Sequence, residues 1–466
     1  MLFSSITFLF YFLPVFLLLY YLIPNRFQNI VLLLGSLFFY AWGEPRYILL
    51  MLFMICAGYF CGIWIETRKN HKAKKTVTAL SVTVCLVCLG YFKYMDFVLD
   101  SVNRMTGLSF RLLHIALPIG ISFYTFQILS YLLDIYYGKI KAQRNILTLA
   151  TYIAMFPQLI AGPIVRYQDI EIQLQKRTVS VSHISCGIRR FIIGLGKKVI
   201  FANTLGEIGA KYGAAEEKTV LFVWLYAIAL TLQTYFDFSG YSDMAIGLGK
   251  MLGFDFPENF EHPLAAKSVT QFWRRWHMTL GSFFRDYLYI PMGGNRVSIA
   301  KWVRNILIVW MATGLWHGAD WTFVVWGLFF AIFLVMEKLF LKQYLEKAHV
   351  WNRLYLWILL TLSFVIFHAS GLSEAMQTIQ YMTGMGEIPF SSAESLFYFK
   401  DYFLLLFLGI IGATSFPLRF VLHLKQNAGG RKVVNILEPL FLITCLLISV
   451  SFLVNGSFNP FLYFRF

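Results

Sequence analysis

Two stretches decide how this chain is read: QFWRRWHMTLGSFFRDYLYIPMGGNR (Gln271–Arg296) and TGLWHGADWTFVVWGLFF (Thr313–Phe330). The second sets His317 between Gly314 and Gly318, with Asp320 just beyond, inside an apolar and aromatic run. From Arg304 to His317 is 13 residues, so a helix carries the histidine roughly 20 Å inward, a little past the middle of a ~30 Å hydrocarbon core. Thr322–Met336 then leads to the net basic Glu337–Arg353, so the chain enters, turns near Gly318–Asp320 and leaves. An ionisable side chain at that depth costs roughly 2.5–3.5 kcal/mol on insertion scales, which marks a functional site rather than an accident. The first stretch brings a second histidine, His277, in the run Trp273-Arg274-Arg275-Trp276-His277.

Working outward, the rest of the chain is membrane-like. It has 466 residues, 58% hydrophobic and 14% charged, and no soluble stretch is long enough to bury a core of its own. Apolar runs that can span recur at Leu2–Ile23, Phe27–Trp42, Tyr47–Ile65, Val77–Tyr94, Leu112–Tyr136, Gly187–Leu205, Val220–Tyr241, Tyr355–His368, Tyr402–Phe416 and Ile436–Val454. Two less regular stretches, Leu147–Val165 and Ile306–Met336, join them. The fold class is therefore an all-α polytopic membrane protein of about 10–12 transmembrane helices. We expect a single integral membrane domain, 1–466, with its catalytic core at roughly 112–340. Leu147–Val165 holds Pro157, Gly162 and Pro163 and precedes the charged Arg166–Arg177. A re-entrant segment there keeps the parity of the later spans, and such backbone survives at depth where protein or a water cavity encloses it.

Charge sets orientation. The net +16 sits in short loops between spans, the positive-inside pattern rather than a nucleic-acid-binding face. Arg68, Lys69, Lys72, Lys74 and Lys75 place the loop Glu66–Lys75 in the cytosol, and counting back three spans puts the N-terminus outside. Leu2–Ile23 reads as a first span, not a removable signal, for it lacks a basic lead and a small-residue cleavage site. Lys267, Arg274, Arg275, Arg285, Arg296, Lys301 and Arg304 against the single acid Asp286 place His262–Arg304 at the cytosolic face. Cys85 and Cys88 form a lone C-x-x-C within a span and read as packing.

Several side chains carry alternative readings. A neutral imidazole at the depth of His317 can serve as a general base, or can be a histidine satisfied by a carbonyl on a helix face. Arg274 and Arg275 suit phosphates and Trp273 and Trp276 a purine, as a polyanionic donor such as coenzyme A would require. The same run also fits an amphipathic interfacial helix with headgroup-binding arginines and belt tryptophans. Asp237 and Asp243, in TYFDFSGYSDMAIGLGK (Thr234–Lys250), stand near the end of a span, where they pair with arginines of the basic segment or line a water-filled cavity. Gly247, Gly249 and Gly253 make no phosphate loop and read as small-residue helix packing. His71, His183 and His349 give no site signal.

At these residues the chain resembles the membrane-bound O-acyltransferase (MBOAT) family, in its bacterial alginate O-acetyltransferase-like branch. The resemblance rests on MLFSSITFLFYFLP, YFDFSGYSDMAIG, FWRRWHMTLGSFFRDYLYIPMGGNR, GLWHGADWTFVVWG and the C-terminal NPFLYFRF, and covers nearly the whole length. It is less similar to the teichoic-acid D-alanylation branch. The resemblance implies a helical bundle with re-entrant segments around a central funnel or tunnel. It maps the family's near-invariant histidine onto His317 and its second conserved polar position onto His277. It also implies action with an exported partner on an exported or cell-envelope polysaccharide.

The expectation is a bacterial inner-membrane O-acetyltransferase that takes acetyl from a cytosolic thioester, acetyl-CoA, and passes it to a hydroxyl on the outer side. His317 and His277 would be catalytic, and Trp273, Arg274, Arg275, Trp276, Trp316, Asp237 and Asp243 substrate-binding. No metal and no permanently bound cofactor is called for, since thioester transfer needs a base and a positioned carbonyl. The alternative is a transporter or flippase for an acyl carrier or a lipid-linked sugar, because intramembrane His and Asp also suit proton-coupled transport.

Overall fold

The computed structural model describes residues 1–456, and within them every regular element is helical. The C-terminal NPFLYFRF of the resemblance lies outside the described residues. The helices used below are α1 (Leu13–Leu22), α2 (Gln28–Gly43), α3 (Ile48–Thr67), α4 (His71–Thr106), α5 (Ile121–Tyr136), α6 (Ile146–Ala154), α7 (Tyr167–Gln175) and α8 (Val181–Gly196). There follow α9 (Val220–Met251), α10 (Val269–Trp273), α11 (Met278–Phe284), α12 (Ile299–His317), α13 (Trp321–Met336), α14 (Trp351–His368), α15 (Ala393–Gly412) and α16 (Ala428–Val454). Among the described residues seven helices are long and apolar enough to cross a membrane: α3, α4, α9, α13 with its extension to Lys347, α14, α15 and α16. Two other expected spans are shorter. α2 and α5 have 16 residues each, about 24 Å at 1.5 Å per residue, less than a full hydrocarbon core.

The chain divides into two compact units. The first comprises Met1–Phe191 and Met244–Pro257. Its helix α4 runs 36 residues, capped by the Asn70 side chain accepting from the Lys72 N–H at 2.8 Å and ended by Gly107 at φ 71°. The apolar run Val77–Tyr94 is thus only the middle of a helix of about 54 Å. Leu112–Tyr136, in contrast, is helical only from Ile121: Pro118 precedes the left-handed Gly120, and the chain before them is irregular. Leu147–Val165 breaks where expected. α6 ends before Met155, a single turn Phe156–Leu159 follows, and the rest runs irregularly to Arg166. Residues 149–167 are all buried, so this non-helical backbone is enclosed by protein.

Aromatic packing fills that unit. Phe156 takes Phe12 and Phe16 edge-on at 5.5 and 5.1 Å, with Phe39 tilted against it at 5.4 Å. Arg177 ties loops to helices, donating from Nε to the Tyr20 hydroxyl and from Nη1 to Asn29 Oδ1, each at 2.7 Å. Gly247 lets α9 approach α8, for a Cβ there would stand 2.7 Å from the Gly187 carbonyl oxygen. Gly253, at φ 84°, instead turns the chain beyond the end of α9.

The second unit comprises Ile192–Asp243 and the described residues from Glu258 onward, and contains both His277 and His317. α12 and α13 form the expected hairpin, with His317 the last helical residue of α12 and Gly318–Ala319 leading to Asp320, which caps α13 by accepting from the Thr322 N–H at 2.8 Å. The two helices touch backbone to backbone. A Cβ on Gly314 would stand 2.2 Å from the Phe323 carbonyl oxygen, and one on Gly327 2.3 Å from that of Trp310. Any larger residue at either place forces the hairpin apart.

Candidate active site

The site is built from two pieces of the second unit, the α12–α13 turn and the segment from Glu258 to Phe284. Sequence reasoning passed over Asn259, which organises that segment. Its backbone carbonyl accepts from the Met278 N–H at 3.0 Å, and its side-chain oxygen accepts from the Thr279 N–H at 3.3 Å and the Thr279 hydroxyl at 2.9 Å. The same oxygen stands 3.1 Å from His277 Nδ1. Asn259 itself is wholly buried. His277 therefore sits fixed at the start of α11, in a left-handed conformation (φ 44°, ψ 53°) that costs a non-glycine residue about 1–2 kcal/mol. A strained, buried histidine held by side-chain contacts is a feature that packing alone does not demand.

A second residue the sequence did not flag is Glu337. It is buried, and its carboxylate accepts from the Val269 N–H at 2.6 Å, the Thr270 N–H at 2.8 Å and the Thr270 hydroxyl at 2.6 Å. A carboxylate at this N-terminus satisfies donors that the short helix α10 leaves open and fixes where the Trp273–His277 run begins. The missed signal was its position, an acid at the end of a 16-residue apolar run.

The aromatic side chains bring the two histidines together. The His277 ring meets Trp316 at 5.5 Å and Phe238 at 4.6 Å, both edge to face. His317 stands 4.9 Å from the same indole, 5.0 Å from Trp326 and 5.3 Å from Phe367. His277 is 1% exposed and His317 4%. Burial, and then the nearness of His317, whose protonated form would repel a second positive ring, push the His277 imidazole well below its ordinary range. Trp273 packs on Trp310 at 4.5 Å and Trp326 at 5.7 Å, and Trp276 is wedged between Phe272 and Phe260 at 5.2 and 5.1 Å. Both tryptophans of the basic run are thus packed into the protein.

Arg274 is exposed and Arg275 half-buried, and the charge of Arg275, with that of Lys197, is felt at His262. Asp237 and Asp243 ion-pair with lysines that the sequence reading had not singled out. Lys198 Nζ stands 2.5 Å from Asp237 Oδ1, and Lys197 Nζ 2.7 Å from Asp243 Oδ2. Both lysines lie on a π-helical turn, Lys197–Asn203, that continues α8. The first pair is almost fully buried, the second partly open. Among the described residues no three His, Cys, Asp or Glu side chains come together as metal ligands would.

A buried pair of imidazoles in a ring-lined site can move a proton between groups held in place, which is what acyl transfer to a hydroxyl needs. Comparison with known proteins points the same way. Residues 140–376, which include both histidines, match the model of the membrane-bound O-acyltransferase family. The chain is 43% identical to a probable alginate O-acetylase AlgI of Pseudomonas aeruginosa over 83% of this chain and 75% of that protein. It is 38% identical to a probable alginate O-acetylase AlgI of Pseudomonas putida over 100% of both chains. With a peptidoglycan O-acetyltransferase of Helicobacter pylori it shares 33% identity over 83% of this chain and 81% of that one.

Proposed function

Because the chain belongs to the membrane-bound O-acyltransferase family, we propose that its buried histidine pair carries acetyl from a cytosolic thioester, acetyl-CoA, to a hydroxyl beyond the membrane. It is a multi-pass membrane O-acyltransferase, and its relatives act on envelope polymers. The observation that carries the finer reading is that His277 and His317 are both buried and both pack against Trp316.

In this mechanism His317 takes the proton of the attacking hydroxyl as its oxygen bonds to the thioester carbonyl carbon. The tetrahedral intermediate collapses, the carbon–sulfur bond breaks, and the thiolate recovers the proton from the His317 imidazolium. The ester and the free thiol are the products. His277 orients the donor or assists the proton's movement. Arg274 and Arg275, exposed and half-buried, are available to the donor's phosphates. Asp237 and Asp243 act through their lysines, holding α9 in place beside the site. Trp316, Trp326 and Phe367 pack against His317 and hold its imidazole in place.

We place the protein in a bacterial inner membrane with its N-terminus outside, its acceptor being an envelope polysaccharide reached through an exported partner protein. The test is thioester chemistry. Purified protein in lipid nanodiscs should release coenzyme A thiol from acetyl-CoA, faster when a hydroxyl acceptor is supplied. Movement of an acyl carrier or lipid-linked sugar across vesicles with no thioester cleavage would overturn the reading.

A further inference from the structure

The hydrogen-bond geometry around Asn259 fixes more than the position of His277. Three groups converge on Asn259 Oδ1: the Thr279 N–H, the Thr279 hydroxyl and His277 Nδ1. The Thr279 N–H is an obligatory donor, so the atom it faces must be the amide oxygen and not the amide nitrogen. An oxygen in that place can only accept. His277 Nδ1 must therefore carry the proton, and in a neutral imidazole Nε2 is then a bare lone pair. Nε2 is buried, and no described group hydrogen-bonds it. This is the less common tautomer of a free histidine, held by a side chain that is itself fully buried.

We propose that Asn259 is a positioning residue that locks His277 as the Nδ1–H tautomer, so that Nε2 meets the substrate as a hydrogen-bond acceptor. The substrate group seated there is accordingly a donor, an O–H or an amide N–H. A thioester carbonyl oxygen, which only accepts, is excluded from that position. This rests on the acyl-transfer reading for the identity of the substrate, but the tautomer stands on geometry alone. The titratable group facing His277 is His317; Phe238, Phe260 and Trp316 supply its other ring neighbours.

The test is the nitrogen NMR spectrum of protein labelled with 15N at the histidine rings, in lipid nanodiscs, with His277→Gln identifying the His277 signals. The wild type should show a protonated Nδ1 and a non-protonated Nε2. Asn259→Asp should keep that pattern, because a carboxylate also accepts from Nδ1, whereas Asn259→Leu should release it. In transfer from acetyl-CoA, Asn259→Leu should lose on the order of 10²-fold or more in kcat, as loss of a correctly poised acid–base group does. Asn259→Asp should recover most of that loss and move the acid limb of kcat/KM to higher pH, since its charge favours the imidazolium. A rise in the acetyl-CoA KM of His277→Gln identifies the donor group as an amide of the donor. A fall in kcat alone identifies it as the acceptor hydroxyl. Protonated Nε2 in the wild type, or an Asn259→Leu protein that transfers at the wild-type rate with an unmoved acid limb, would overturn the proposal. The predicted spectrum in a protein that cleaves no acetyl-CoA would instead leave the tautomer standing and sink the donor assignment.

Discussion

Lys198 Nζ and Asp237 Oδ1 form an ion pair at 2.5 Å, with side chains 2% and 1% exposed. A pair so enclosed contributes little over an apolar pair of the same size, but removal of one partner takes this counter-charge from the other. We predict that Lys198→Met or Asp237→Leu alone costs about 3–5 kcal/mol, read as a lower unfolding temperature or loss of protein from the membrane. The double variant should recover most of it. A double variant as unstable as the singles would show that the charges themselves serve the fold or the reaction.

Glu337 holds the start of α10 through three hydrogen bonds. Glu337→Ala should therefore loosen the Trp273–His277 run, lowering transfer and raising the hydrogen exchange of residues 269–277. Gln, which keeps one acceptor oxygen, should fall between. Unchanged exchange in Glu337→Ala would remove this residue from the account.

Replacing Arg274 and Arg275 together with Gln should raise the acetyl-CoA KM more than it lowers kcat, and added salt should imitate the effect in the wild type. A double variant with its KM intact that is merely lost from the membrane would make these arginines headgroup anchors.

Ser298 and Lys301 are exposed and belong to the basic segment that the positive-inside pattern leads us to propose for the cytosolic face. In a background without the native cysteines, Ser298→Cys or Lys301→Cys should react with impermeant thiol reagents from the inside only. Labelling from outside would reverse the topology and the donor side with it.

The helical hairpin around His317 was legible because apolar length, two glycines and the flanking basic loops all speak at the level of local sequence. The same reasoning drew Leu112–Tyr136 too long, since hydropathy does not register that Pro118 and the left-handed Gly120 delay the helix to Ile121. It saw Asp237 and Asp243 but not Lys197 and Lys198, because pairing across elements depends on which turns face each other. Asn259 escaped for a related reason. An asparagine in a polar loop carries no periodicity, and its role comes from a contact 18 residues away in the chain.

The central claim is that His317 supplies the base for acyl transfer, and His317→Ala tests it most directly. Purified in lipid nanodiscs, this variant should keep the wild-type unfolding temperature within a few degrees and lose about 10²–10⁴-fold of the rate of acetyl transfer from acetyl-CoA to a hydroxyl acceptor. A well-folded His317→Ala protein that transfers acetyl at the wild-type rate would contradict the account.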